Sequence, residues 1–341
     1  MRLLIVTQVV DRKDPYLGFF TEWLEEFAKH FERIEVICLR EGEHALPSNV
    51  HVHSLGKERG ASRIGYLSRL FRYSWQLRHE YDAVLIHMNQ EYVLAAGWLW
   101  KLLGKRIYLW RNHYAGGFLT DVAVLFATKV FCTSRFSYTA RYRKTVVMPV
   151  GVDTELFTPS SVRAPRSILF FGRFAPSKKP DVVLEALNIL RHDGISFWAS
   201  FYGSALPEDV RYRESLIARA KELELENVVK FYDGVPHEEA PKIFAAHEMF
   251  VNLSSSGMYD KTIFEAAASG CLVIAASEDF AQIAGERLLV EATAASVANK
   301  LREILMLPEN ERAALAGLVR EVTLKGHSLH TLGARIATEI V

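Results

Sequence analysis

MFVNLSSSGMYDKTIFEAAASGCLVIAAS, residues 249–277, passes from an apolar strand through a polar turn into a helix and out into a second apolar strand. Met249–Leu253 is the first strand and Leu272–Ala275 the second. Asp260 is placed to cap the helix that Lys261 opens and Gly270 closes. Two short apolar strands joined by a helix form a parallel unit, and such sheets bind ligands just beyond the C-terminal ends of their strands. The turn Ser254–Gly257 falls there. Its amides and the helix N-terminus are expected to form a cradle for a phosphate or for sugar hydroxyls. Glu265, in the second helical turn, repels phosphate but accepts hydrogen bonds from vicinal hydroxyls such as those of a ribose. The other reading of Glu265 is an ordinary solvated helix residue.

The same alternation runs outward in both directions. Before it come strands at Leu3–Val6, Ile34–Leu39, Ala83–His87, Arg106–Arg111 and Lys129–Thr133, with helices at Phe19–His30, Arg63–Arg78 and Tyr92–Leu103. The pattern pauses at 149–166, a stretch rich in Pro, Gly and Ser. A second series then begins at Ser167–Phe171 and ends in a mainly helical tail from Ala294. The expected organisation is a Rossmann-like domain over 1–148, a linker over 149–166, a second Rossmann-like domain over 167–325, and a C-terminal helix over 326–341 that packs back on the first domain.

Composition narrows the function classes. The chain has 341 residues, half of them apolar, with 41 Lys and Arg against 40 Asp and Glu. A net charge of +1 gives no general argument for nucleic-acid binding. Cys38, Cys132 and Cys271 are far apart in apolar surroundings, which predicts buried thiols rather than a zinc site or disulfides. The apolar start MRLLIVTQVV runs into Asp11, Arg12, Lys13 and Asp14, so a first buried strand is a better reading than a signal peptide. Sustained apolar runs stop short of a membrane-spanning length.

These motifs carry a resemblance. FEAAASG (264–270) resembles the second half of the donor motif of retaining GT-B glycosyltransferases of the family-4 type, the glycosyl transferases group 1. The resemblance implies an α/β GT-B fold, two facing Rossmann-like domains with a cleft between them. It also implies that Glu265 binds the donor ribose. The family's first motif Glu falls on Gly257, so contact with the donor sugar passes to the loop of Gly257, Met258, Tyr259 and Asp260. Lys261 then has two readings, a phosphate contact or a solvated side chain. ILFFGRFAPSKKPDVVLEAL (168–187) resembles the segment whose Arg and Lys hold the donor phosphates, which assigns Gly172, Arg173 and Lys178. FYGSALPED (201–209) supplies Gly203 to the turn under the nucleotide. In VVKFYDGVPHEEA (228–240), the backbone at Gly234 and Val235 would meet the base edge. VVMPVGVDTELFTP (146–159) resembles the inter-domain linker, with Val150 in place of Asn and with Gly151 and Asp153 shaping a turn.

The first half carries fewer signals. Gly18 ends a loop that in the family approaches the donor diphosphate, and a turn glycine without a ligand is the other reading. His113, past the strand of RIYLWRNHYAGG (106–117), resembles the His that contacts the donor sugar near the reaction centre, with His87 as competitor. Catalytic roles are therefore expected of His113, Arg173 and Lys178. The implied activity is retaining transfer from a nucleoside-diphosphate sugar, the co-substrate, to an acceptor hydroxyl in polysaccharide, lipopolysaccharide or glycolipid synthesis. No Asp-x-Asp triplet occurs in the chain, which favours a metal-independent route without a bound cofactor. The rival reading, raised by Gly257, is an inactive GT-B-like subunit that binds a nucleotide or a partner. Cations interleaved with aromatics over Arg59–Arg106 add an expectation of peripheral contact with an anionic membrane, and so of a cytoplasmic enzyme at its inner face and a sugar or lipid-linked sugar acceptor. Core aromatics with solvated cations are the alternative.

Overall fold

A computed structural model describes residues 1–257 and 260–340 of the chain. Met258 and Tyr259, both expected above to meet the donor, lie outside the described residues, as does Val341. The chain divides into two units, one of residues 1–151 together with the segment from Leu329 onward, the other of residues 152–328.

The first unit is built from β1 (Arg2–Val10), α1 (Phe19–Ala28), β2 (Arg33–Glu41), β3 (Val50–Ser54), α2 (Arg63–Gln76), β4 (Ala83–His87), α3 (Gln90–Leu102), β5 (Arg106–Trp110), α4 (Phe118–Phe126), β6 (Lys129–Cys132) and β7 (Thr145–Val147). All pairings are parallel, in the order β3-β2-β1-β4-β5-β6-β7. Consecutive residues of β1 feed opposite faces. Leu3 and Ile5 meet Phe20, Trp23, Leu24 and Phe27 of α1. Leu4 and Val6 meet Leu70 of α2, Val93 and Trp100 of α3, and Val124 of α4. This two-sided burial is why the strands read as unbroken apolar runs.

The second unit follows with β8 (Ala164–Phe171), α5 (Pro180–His192), β9 (Trp198–Gly203), α6 (Val210–Glu222), β10 (Val229–Asp233), α7 (Ala240–Ala246), β11 (His247–Asn252), α8 (Lys261–Ala268), β12 (Leu272–Ala275), α9 (Glu278–Ala284), α10 (Ala294–Met306) and α11 (Glu309–His327). Its parallel sheet has the order β10-β9-β8-β11-β12. The last helix, α12 (Leu329–Glu339), belongs to the first unit. Leu332 and Ile336 join the α1 face of its core, and Lys129 on β6 pairs with Glu339 at 2.9 Å. Gly151, with φ +75°, lets the chain turn under Leu332, and its carbonyl accepts from the Trp23 indole at 3.0 Å.

Elements absent from the sequence reading are β3, β7, α4 and α9, and β1 runs to Val10 rather than stopping at Val6. β7 spans only Thr145–Val147, and α4 (FLTDVAVLF) is nearly apolar all round, so neither shows a clear period. All three cysteines are free and buried.

Close loop packing fixes the C-terminal edge of the second sheet. A Cβ on Gly203 would stand 1.9 Å from the carbonyl oxygen of Gly172, and one on Gly234 would stand 2.3 Å from Oγ of Ser204. The loops after β8, β9 and β10 are thus packed closely together, and at Gly203, where the neighbour is backbone, only glycine permits the spacing. Gly203→Ala should lower stability by about 1–3 kcal/mol. Gly317→Ala, on the exposed middle of α11 with open space around it, should raise stability by up to about 1 kcal/mol. Urea unfolding midpoints of the two variants check both signs.

Candidate functional site

β11 ends at Asn252, and the chain turns into α8 through the Ser/Gly loop of the opening motif. Asp260 caps α8, its Oδ1 accepting from the Thr262 amide at 3.2 Å and the Thr262 hydroxyl at 2.9 Å. At the other end, Gly270 takes φ +79°, and the amides of Gly270 and Cys271 bond back to Ala267 and Ala266, each at 2.9 Å. Glycine there closes the helix in a Schellman motif.

The Asp260 carboxylate also gathers residues from a second loop. Its Oδ2 pairs with Nζ of Lys178 and accepts from Ser254 Oγ at 3.0 Å and from Asn252 Nδ2 at 3.2 Å. Lys178 in turn donates to Ser254 Oγ at 3.1 Å. Burial alone would raise the Asp260 pKa, but the Lys178 charge and these hydrogen bonds outweigh it and hold the carboxyl below the usual carboxylate range. Lys178, expected as a phosphate clamp, is paired in this structure with the carboxylate that caps α8. Arg173 lies half-buried on the same β8–α5 loop.

One turn further along α8, Glu265 is buried at 3% exposure, which excludes the solvated reading. Its Oε1 accepts from Nε2 of His237 at 3.0 Å and lies 3.4 Å from Nζ of Lys261. Burial again pushes the carboxyl up, and Lys261 with His237 brings it below its ordinary value. Lys261 is thus neither a solvated side chain nor a bare cation at the helix start. Gly234 and Val235 lead directly into His237.

One expectation about the motif loop needs correction. Its amides are not all open to a ligand, because Ser254 N–H donates to Asn252 Oδ1 at 3.0 Å and Gly257 N–H donates to the buried Asp279 at 2.9 Å. Gly257 itself takes φ +87°, a left-handed backbone that disfavours a Glu by roughly 1–2 kcal/mol. An open cavity of about 650 Å³ lies on the β12 side of this loop, reached by Lys179, Ser254–Ser256, Glu278 and Glu291. Arg173 and Glu265 are not in its lining.

In the first unit, His87 and His113 part company. His87 is 3% exposed, stacks on Phe20 at 4.1 Å and meets Thr7 Oγ1 at 3.1 Å, and burial pushes its pKa down to about 3. It is a neutral core residue. His113 lines an open cavity of about 650 Å³ beyond the ends of β4 and β5, with Asn89, Gln90, Glu91, Arg111 and Asn112. Its Nδ1 accepts from the Ala115 amide at 2.9 Å, and its ring lies on Tyr114. Met88, at the mouth, holds φ +70°, a strained backbone for a side-chain-bearing residue. Gly18 is buried, and its N–H donates to the Asp14 carbonyl at 3.0 Å. A Cβ on Gly18 would meet that oxygen at 2.6 Å, so the loop's own packing already requires the glycine.

The structure thus joins Lys178 to Asp260 and Lys261 to Glu265, and stacks the loops of Gly172, Gly203 and Gly234. The sequence reading missed His237, Asn252, Ser254, Thr262 and Asp279 as members of these networks. A polar Asn closing the apolar run MFVN was a usable signal for Asn252; no comparable signal marks His237.

Comparison with known proteins adds the family context. Residues 154–316 match the family described as Glycosyl transferases group 1. The D-inositol 3-phosphate glycosyltransferase of Mycolicibacterium smegmatis is 30% identical over 147 residues, which cover 40% of this chain and 33% of that one. The protein of that name from Frankia alni is 29% identical over 149 residues, 40% and 36% of the two chains. The matched stretch spans about a third of the length of these relatives. Among solved structures, Anabaena HepE in complex with UDP is similar over 99% of both chains, with a TM-score of 0.80 and 19% identity. WaaG, a glycosyltransferase involved in lipopolysaccharide biosynthesis, is similar over 99% of both chains, with a TM-score of 0.70 and 15% identity. The chain has the GT-B fold, two parallel-sheet α/β domains, and its second domain carries the match to the glycosyl transferases group 1.

Proposed function

We propose that the protein is a glycosyltransferase that moves a sugar from a nucleoside-diphosphate sugar to an acceptor hydroxyl with retention and without a metal ion. The observation that carries this reading is the buried Glu265. It sits at the C-terminal edge of the second sheet, ionised and aimed by two partners, inside the segment that matches the group 1 family. A buried carboxylate costs free energy, and ribose hydroxyls are the donors that would repay it there. Arg173 and the start of α8 supply positive potential for the diphosphate as it leaves, and His113 acts on the transferring sugar. Lys178 contributes through its pair with Asp260. The UDP bound in the HepE structures makes a uridine nucleotide the first candidate donor.

The acceptor is assigned to the first unit. Its cavity presents planar polar groups from Asn89, Gln90, Glu91, Arg111 and Asn112, with an exposed Phe118 at the edge. Amide, carboxylate and guanidinium forks suit the vicinal hydroxyls of a glycan, and an aromatic face suits its C–H side. Exposed apolar residues of the first unit occur on three helices, Ile64, Leu67 and Trp75 on α2, Trp98 and Leu102 on α3, and Phe118, Leu119 and Leu125 on α4. Arg72, Arg78 and Lys101 lie among them. No helix among the described residues is long and apolar enough to cross a membrane. Peripheral contact with an anionic bilayer, and a glycolipid or lipopolysaccharide acceptor, complete the proposal.

Five measurements test it. In a thermal-shift screen, UDP, GDP or ADP should raise the melting temperature, and no shift with any of them would overturn the donor reading. Arg173→Ala and Glu265→Ala should each weaken the active nucleotide about tenfold or more by calorimetry. Lys178→Ala should act mainly on stability, costing about 3 kcal/mol by stranding a buried carboxylate, and Asp260→Asn in the same chain should recover part of that loss. Since Asp260 is held low, the pair's contribution is complete above the ordinary carboxylate range and is lost as the pH falls below it. Acid unfolding of Lys178→Ala should accordingly depend less on pH. Finally, the protein should sediment with phosphatidylglycerol vesicles more than with phosphatidylcholine vesicles, and Trp75→Ala combined with Leu102→Ala should reduce that binding.

A further inference from the structure

His237 lies in the stretch 228–240 whose backbone is expected at the base, and its side chain has no role assigned so far, yet it contacts Glu265. β10 ends at Asp233, and Gly234, Val235 and Pro236 carry the chain into a short 3-10 turn, His237–Glu239. That approach is held down by the close packing of Gly234 on Ser204. The imidazole leans on the fully buried ring of Phe157 at 5.4 Å, so it has little freedom to turn away. From this position Nε2–H donates to Oε1 of Glu265 at 3.0 Å. Lys261 approaches the same oxygen at 3.4 Å.

Both partners approach Oε1, which holds the carboxylate in one orientation, and so sets the direction of its second acceptor oxygen, Oε2. Recognition of a diol needs an aimed oxygen; a rotating carboxylate would lose much of its discrimination to entropy. His237 also belongs to the loop whose backbone is expected at the nucleotide base, so one short segment would set both base and ribose contacts. Resting on the donor reading above, the geometry points to His237 as a positioning residue that aims Glu265 at the 2′- and 3′-hydroxyls of the nucleotide ribose.

Calorimetry with UDP, GDP and ADP, each against its 2′-deoxy counterpart, tests this. The wild-type protein should prefer the ribonucleotide it binds by about tenfold, the value of one hydrogen bond to a charged group. His237→Ala should weaken that ribonucleotide about tenfold while changing the deoxynucleotide less than about twofold, so the preference collapses toward one. Glu265→Ala should do the same. His237→Gln, whose amide nitrogen reaches the place of Nε2, should keep most of the preference. If His237→Ala does not fold, His237→Asn, with a shorter amide that misses Oε1, takes its place in the comparison. Equal weakening of both nucleotides, or an unchanged preference, would overturn the role of His237, as would a wild-type protein that binds without discriminating. A wild-type protein that binds none of the nucleotides would instead overturn the donor reading itself.

Discussion

Asp260, largely shielded from water at the cap of one short helix, and Glu265, buried in its second turn, are two carboxylates whose desolvation the second unit is organised to offset. An unpaired buried carboxylate is not tolerated; it must find cations and donors or give up its charge. Asp260 takes its cation from the β8–α5 loop, through Lys178, and its donors from the end of β11, through Asn252 and Ser254. Glu265 takes Lys261 from its own helix and His237 from the loop after β10. Two loops that are distant in sequence, together with the turn that leads into it, are thereby tied to α8. Their positions follow from electrostatic satisfaction as much as from the sheet beneath them.

This explains a feature that looked like a loss. A Glu at position 257 would have brought a third carboxylate to the same helix start, on a backbone that turns through φ +87°. Glycine accepts that turn, and its amide ties the loop to Asp279 behind it. The loop is anchored through that amide, and the carboxylate at this helix start is that of Asp260. The glycines at 203 and 234 serve the same end by different means, since they allow neighbouring loops to touch without an intervening side chain.

Much of the fold was readable because parallel strands buried on both faces are unbroken apolar runs, and the helices between them carry clear periods. The elements that escaped were those too short or too uniformly apolar to show one, β7 and α4. The motif residues were readable as positions but not as pairings. Lys178 looked like a cation awaiting an anion from outside and Lys261 like either that or a solvated side chain, and the structure gives each a carboxylate partner. Pairing is a property of loops meeting in space, and no spacing along the chain encodes that Lys178 meets Asp260 or that His237 meets Glu265. The amides of Ser254 and Gly257 escaped for the same reason.

His87 and His113 make the point within a single sheet. His87 ends β4 and His113 follows β5, strands whose C-terminal ends lie side by side, and a rule that only looks for a histidine near a strand end treats them alike. Phe20 covers one ring face of His87 and Thr7 fills its Nδ1 position, so desolvation keeps the imidazole neutral and out of reach. His113 lies three residues past the end of β5, on a loop bordered by Gly116 and Gly117, where its ring reaches an open cavity. Those few residues of loop carry a histidine from the core of the sheet to its working edge. On a doubly covered parallel sheet, chemistry belongs to the first residues after the strand rather than to its last.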